Sequence, residues 1–160
     1  MKNPIRGDVT KILVVFYSRD GHTRRAAEII AESLNTDIDE IEDKKPRKGI
    51  IGFLRAGYDA TRGKTTDINF SKTPADYDVV ILGGPVWNGR VTPAVRTYLL
   101  KNRGSIKKAV FFVTCAGREG EYLSQMREIY DGKILAEKVI LRSNIEEEVK
   151  QFIEKLESII

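Results

Sequence analysis

Cysteine and histidine are nearly missing from these 160 residues, which hold one of each, Cys115 and His22. A lone cysteine excludes an internal disulfide, and one Cys with one His cannot assemble a zinc cluster unless carboxylates complete it. Long hydrophobic runs are lacking too. The longest apolar stretches, such as ILVVF at 12–16, are far too short for a bilayer span or a signal peptide, so a cytoplasmic protein without stable membrane insertion is expected. No basic stripe interleaved with aromatics and no helix-turn-helix or RNA-binding signature is present, which argues against nucleic acid as a partner. No catalytic residue and no metal ligand set can be named.

What is present is an ordinary globular composition, 41% hydrophobic and 31% charged, in a length that fits one domain, 1–160. The net charge of +4 is unevenly spread. Residues 1–105 hold 18 Lys and Arg against 13 Asp and Glu, whereas 106–160 hold 9 against 10.

Near-continuous apolar runs at 11–17, 78–84 and 108–114 predict strands buried on both faces. A weaker strand at 36–41 carries acids that suggest a sheet edge, and a last one covers 134–141. Between them, helical spacing appears at 22–34 (Ala26, Ile30, Leu34) and after Thr92-Pro93, where proline opens a helix that Gly104 stops. It appears again at 119–130 (Leu123, Met126, Tyr130) and from Ile145 onward (Val149, Phe152, Leu156, Ile159). Ser143-Asn144-Ile145-Glu146 has the capping-box pattern. Residues 46–66 read as a crossover with a short helix and a long loop, because Gly49, Gly52, Gly57 and Gly63 lower helix propensity. Strands alternating with helices predict an α/β fold: a doubly wound five-stranded parallel sheet with helices on both faces.

Ligands of such sheets bind beyond the carboxyl ends of the strands, where strand order reverses. Three loops should meet there. Ser18-Arg19-Asp20-Gly21-His22-Thr23 offers hydroxyls and fresh helix amides; Pro85-Val86-Trp87-Asn88-Gly89 offers an indole; Thr114-Cys115-Ala116-Gly117 offers backbone amides. Together they suit a phosphate at a helix N-terminus and a planar ring against Trp87. Competing motifs fail. No GxGxxG follows the first strand, and Gly57 to Gly63-Lys64-Thr65 has five intervening residues where a P-loop needs four. Cys115 has no paired base among its neighbours, so a buried or ligand-adjacent thiol is expected rather than a nucleophile.

FYSRDGHTRRAAEIIAESL, VVILGGPVWNGRVTPAVRTYL and VFFVTCAG resemble the phosphate loop and two flavin loops of the flavodoxin-like FMN proteins, and GFLRAGYDATRGK is similar to a segment of some small members. The resemblance covers nearly the whole chain. It implies FMN as cofactor, with the phosphate at Ser18 to Thr23, the isoalloxazine on Trp87, a peptide at Asn88-Gly89 that can turn toward the flavin N5, and the pyrimidine edge at Thr114 to Gly117. Asp20 departs from the family pattern, which has a hydroxyl there. No tyrosine follows Gly117 to make a second stacking wall, leaving Tyr58 or Tyr122 as substitutes or an open face. The implied function is electron transfer between protein or small-molecule redox partners. The alternatives are a small FMN-dependent NAD(P)H:quinone-type reductase and a cofactor-free interaction domain.

Overall fold

The computed structural model describes residues 9–160, so the first eight positions of the expected domain lie outside the described residues. The chain runs β1 (Ile12–Phe16), α1 (His22–Leu34), β2 (Asp37–Glu40), β3 (Glu42–Asp43), α2 (Gly49–Thr61), β4 (Ile68–Asn69), β5 (Val79–Pro85), α3 (Pro93–Asn102), β6 (Lys108–Cys115), α4 (Tyr122–Ile129), β7 (Lys133–Leu141) and α5 (Ile145–Ile159). Five strands form one parallel sheet in the order β2-β1-β5-β6-β7. The continuous apolar runs become β1, β5 and β6, the three inner strands, because only strands covered on both faces need apolar residues at every position.

One core lies between the sheet and α3 with α4, around Tyr98, Leu99, Tyr122 and Met126. The other lies between the sheet and α1 with α5, around Ile30, Val149, Phe152 and Leu156. Each such fully buried side chain stabilises the fold by about 1.5 to 3 kcal/mol. β2 sits at the edge, as its acids suggested, yet Asp39 is buried because its carboxylate accepts the amides of Ser71 and Lys72 at 2.9 and 2.7 Å.

Four sequence expectations need correction. The capping box does not form: no side chain among the described residues caps α5, and Glu146 pairs with Arg25 at 3.2 Å instead. Ile159 is 42% exposed and Ile153 takes a place in the core, since the stripe drifts around the last turn. The fourth helix is Tyr122–Ile129, shorter at both ends than 119–130, with Gly120 in a left-handed turn just before it. Residues 46–66 hold a full 13-residue helix, α2, flanked by an unanticipated antiparallel pair, β3 with β4. Glycine is tolerated inside α2 because it permits close packing. A Cβ on Gly52 would overlap the Arg47 backbone, and one on Gly57 would lie 2.6 Å from Asn88 Nδ2.

Candidate functional site

Strand order reverses between β1 and β5, since the chain leaves β1 for β2 on one side and returns to β5 on the other. The loops after β1, β5 and β6 therefore diverge at the carboxyl edge and enclose a cavity of about 460 Å³. Fourteen of the fifteen sequence-predicted residues line it: Ser18, Arg19, Asp20, His22, Thr23, Pro85, Val86, Trp87, Asn88, Gly89, Thr114, Cys115, Ala116 and Gly117. The remaining one, Gly21, turns the chain into α1 with φ 95° rather than facing the cavity.

At one end is the start of α1. Arg25 is the first residue to donate backward, to Gly21 O, so the amides of His22, Thr23 and Arg24 have no intrahelical acceptor, and no side chain among the described residues caps them. Ser18 Oγ accepts the Gly21 amide at 3.1 Å and steadies the turn. Thr23 Oγ1 and Thr114 Oγ1 form a buried hydroxyl pair at 2.7 Å, tying the first loop to the third. The Asp20 carboxylate is 56% exposed and paired with Arg19 at 3.5 Å, so its charge is spent on a guanidinium rather than on the helix amides. These unclaimed amides at a dipole's positive end suit a phosphate.

At the other end, Trp87 and Arg90 close a two-residue hairpin in which Asn88 (φ 49°) and Gly89 (φ 68°) are both left-handed, the type I′ turn that Asn-Gly favours. This hairpin is fastened to α4. Gly89 O accepts the Glu121 amide at 2.7 Å, Arg90 pairs with Glu121 at 2.9 Å, and the Val91 amide donates to Gln125 Oε1 at 3.1 Å. Among the described residues the Asn88 carbonyl accepts no hydrogen bond, so the central peptide of the turn is the one left unclaimed.

Trp87 is half-buried, with the Tyr17 ring nearly perpendicular to it at 5.6 Å between centroids and Arg47 Cζ 5.7 Å from its ring centroid. Arg47 is held between Asp43 at 3.0 Å and Asp59 at 2.5 Å, all three side chains at most 4% exposed. Burial works against the Arg47 charge and the Asp59 charge alike, but their mutual hydrogen bonds, with those from Asp43 and Lys45, hold the guanidinium above its ordinary pKa and the Asp59 carboxyl below its own. Burial pushes the Cys115 thiol up, which keeps it protonated and unsuited to nucleophilic attack.

Sequence reasoning missed six lining residues: Phe53, Leu54, Ala56, Gly57, Arg118 and Arg142. The first four come from α2, whose helical period was obscured by its glycines. Phe53 and Leu54 are 63% and 65% exposed and form an apolar rim of the cavity. Tyr58 is exposed outside the cavity, and Tyr122 is wholly buried beneath it, so neither lines it. Arg142, directly after β7, has a sequence signal of its own, a charged residue at the carboxyl end of a parallel strand.

The sequence profile of the Flavodoxin family matches residues 11–156. Among solved structures, a flavoprotein from Lactobacillus acidophilus in complex with FMN superposes with a TM-score of 0.74 at 22% identity, covering 89% of this chain and 98% of that one. A candidate flavoprotein from Bacteroides eggerthii gives 0.76 at 23% identity over 91% and 97% of the two chains. A WrbA-like flavodoxin from Agrobacterium tumefaciens gives 0.62 at 18% identity over 91% and 93%. At these identities the structural likeness speaks for the fold.

Proposed function

This chain belongs to the flavodoxin family, and from that premise we propose that it binds FMN in the carboxyl-edge cavity and carries electrons between a donor and an acceptor. The observation that carries the reading is the cavity's polarity: uncapped helix amides at one end and an indole face at the other, within a single space. The residues present fit the group. The amides of His22, Thr23 and Arg24 with the Ser18 and Thr23 hydroxyls would hold the phosphate, Trp87 and the Phe53-Leu54 rim would bound the ring, and Thr114 to Gly117 would meet its polar edge. When bound, FMN supplies one- and two-electron redox chemistry that no side chain here can perform. The chain's own part is to bind, orient and shield: α1 neutralises negative charge through its amides, and the Asn88 carbonyl is an acceptor available to a ring N–H.

The same reading takes the whole chain as one domain working in the cytoplasm; no helix among the described residues is long and apolar enough to cross a membrane. One observation favours a second reading, an FMN-dependent NAD(P)H:quinone-type reductase. The apolar Phe53-Leu54 rim and the two arginines Arg118 and Arg142 line the same cavity and would suit a planar, anionic small molecule.

Freshly purified protein should show a flavin absorption spectrum, or acquire one on adding FMN, and heat should release FMN and not FAD by mass. Protein that stays colourless and takes up no FMN in calorimetric titration overturns the assignment. Rapid reduction of the bound flavin by NADPH alone would favour the reductase over the carrier.

A further inference from the structure

We propose that Arg47 is the positioning residue of Trp87: its guanidinium, locked by two buried carboxylates, backs the indole and places a positive charge behind the wall of the cavity. Trp87 lines the cavity, whereas Arg47 and Tyr17 do not, so the ring stands between the guanidinium and the ligand space. Arg47 Cζ lies 5.7 Å from the indole centroid, within cation–π range, and burial strengthens that attraction by removing water.

The geometry is fixed on every side. Nε donates to Asp43 Oδ2 at 3.0 Å and Nη1 to Asp59 Oδ2 at 2.5 Å, which sets the guanidinium plane. The Arg47 carbonyl accepts Arg19 Nε at 2.7 Å, and its backbone abuts Gly52 of α2 so closely that no Cβ fits there. Among the described residues, Nη2 is buried without a hydrogen-bond acceptor.

The consequence rests on the FMN reading above, although the contact itself does not. A ring that gains negative charge on reduction is favoured by a cation behind its stacking partner. Among the described residues, removing the guanidinium leaves Asp43 and Asp59 opposed by Lys45 and the more distant Lys64, so the cluster behind the ring loses one positive charge and its net positive charge with it. Arg47 therefore favours reduced over oxidised FMN.

Trp87 is the sole tryptophan, so its fluorescence reports this contact without ambiguity. Arg47→Met, Arg47→Lys and, as a net-charge control at the opposite end of the sheet, Lys108→Met are compared at a temperature where circular dichroism shows all to be folded. In protein free of FMN, Arg47→Met should raise the acrylamide quenching constant of Trp87 at least twofold and red-shift its emission, with Arg47→Lys between it and wild type and Lys108→Met unchanged. In FMN-loaded protein, Arg47→Met should cut the preference for reduced FMN about tenfold, a midpoint lower by about 30 mV for the two-electron couple, with partial rescue by Arg47→Lys. Wild-type quenching and emission in folded Arg47→Met would overturn the positioning role, whether or not FMN binds. A midpoint shift no larger than that of Lys108→Met would overturn the electrostatic one. Failure of wild type to bind FMN would sink the functional reading instead and leave the fluorescence result to decide the contact.

Discussion

Thr23 shows how one side chain can serve both the fold and the site. It is the second residue of α1, 1% exposed, and its hydroxyl is shared with Thr114 across the sheet edge. Thr23→Ala should weaken FMN binding by about ten- to a hundredfold, the equivalent of losing one hydrogen bond to a charged group, roughly 1.5 to 3 kcal/mol. Thr23→Ser keeps the hydroxyl and should restore most of it; calorimetric titration of the three proteins is the measurement, and equal affinities would remove Thr23 from the phosphate site. Trp87 lends itself to an equally direct check. Its emission should fall on adding FMN, after correction for cofactor absorbance, and Trp87→Ala should bind FMN more weakly while melting close to wild type, since the indole is only half-buried.

At the scale of elements, α2 and the Trp87 hairpin are shaped by close approach. α2 buries little apolar surface: Ile50, Ile51, Phe53, Leu54 and Tyr58 all face outward, so its place depends on Gly52 against Arg47, Gly57 against Asn88, and Asp59 in the ion cluster. The hairpin meets the turn before α4 through Gly120, where an added Cβ would lie 2.6 Å from Gly89 Cα and 2.8 Å from Gly89 O, at a φ of 58° that already disfavours a side chain. Gly120→Ala should therefore destabilise by about 1 to 3 kcal/mol and loosen the hairpin, whereas Ile51→Ser, on the exposed face, should stay within about 0.5 kcal/mol. Urea unfolding of both variants checks this, and equal midpoints would show that the two loops do not need to touch.

Across the whole molecule, the Asp43-Arg47-Asp59 cluster makes stability depend on acid. The folded Asp59 carboxyl titrates below its ordinary value because Lys45 and Arg47 donate to its charged form, outweighing its burial. A depressed carboxylate contributes stability that is complete above its unfolded pKa, near 4, and is lost as pH falls through the lower folded value. The unfolding free energy should thus drop on acidification below about pH 4, and the drop should be shallower in Asp59→Asn. At neutral pH that variant should be less stable by about 3 to 5 kcal/mol, because it leaves Arg47 with half of its compensation. Denaturant titrations across pH 2 to 7 would reveal it; parallel curves for the two proteins would mean that Asp59 is not ionised in the fold.

The parallel sheet, the three loops and fourteen of the lining residues were legible in the sequence because each is encoded locally. Uninterrupted apolar runs mark inner strands, Gly21 and the helix that follows mark a strand-to-helix turn, and Asn88-Gly89 marks a tight hairpin. The capping box misled because Ser143 lies in a 3-10 turn that leaves Asn144 at the N-cap position, and Arg25 of α1 claims the Glu146 carboxylate. Only the tertiary structure decided that the short helix expected within 46–66 runs the full length of Gly49–Thr61 and stands at the rim of the cavity. Its glycines weaken a helix in isolation, and their advantage, letting Arg47 and Asn88 approach, exists only once those partners are in place. The buried charge cluster behind Trp87 was hidden for the same reason: a carboxylate's partner is set by which loops the sheet brings together, and Asp43, Arg47, Asp59 and Trp87 meet only after β1, β5 and α2 have packed.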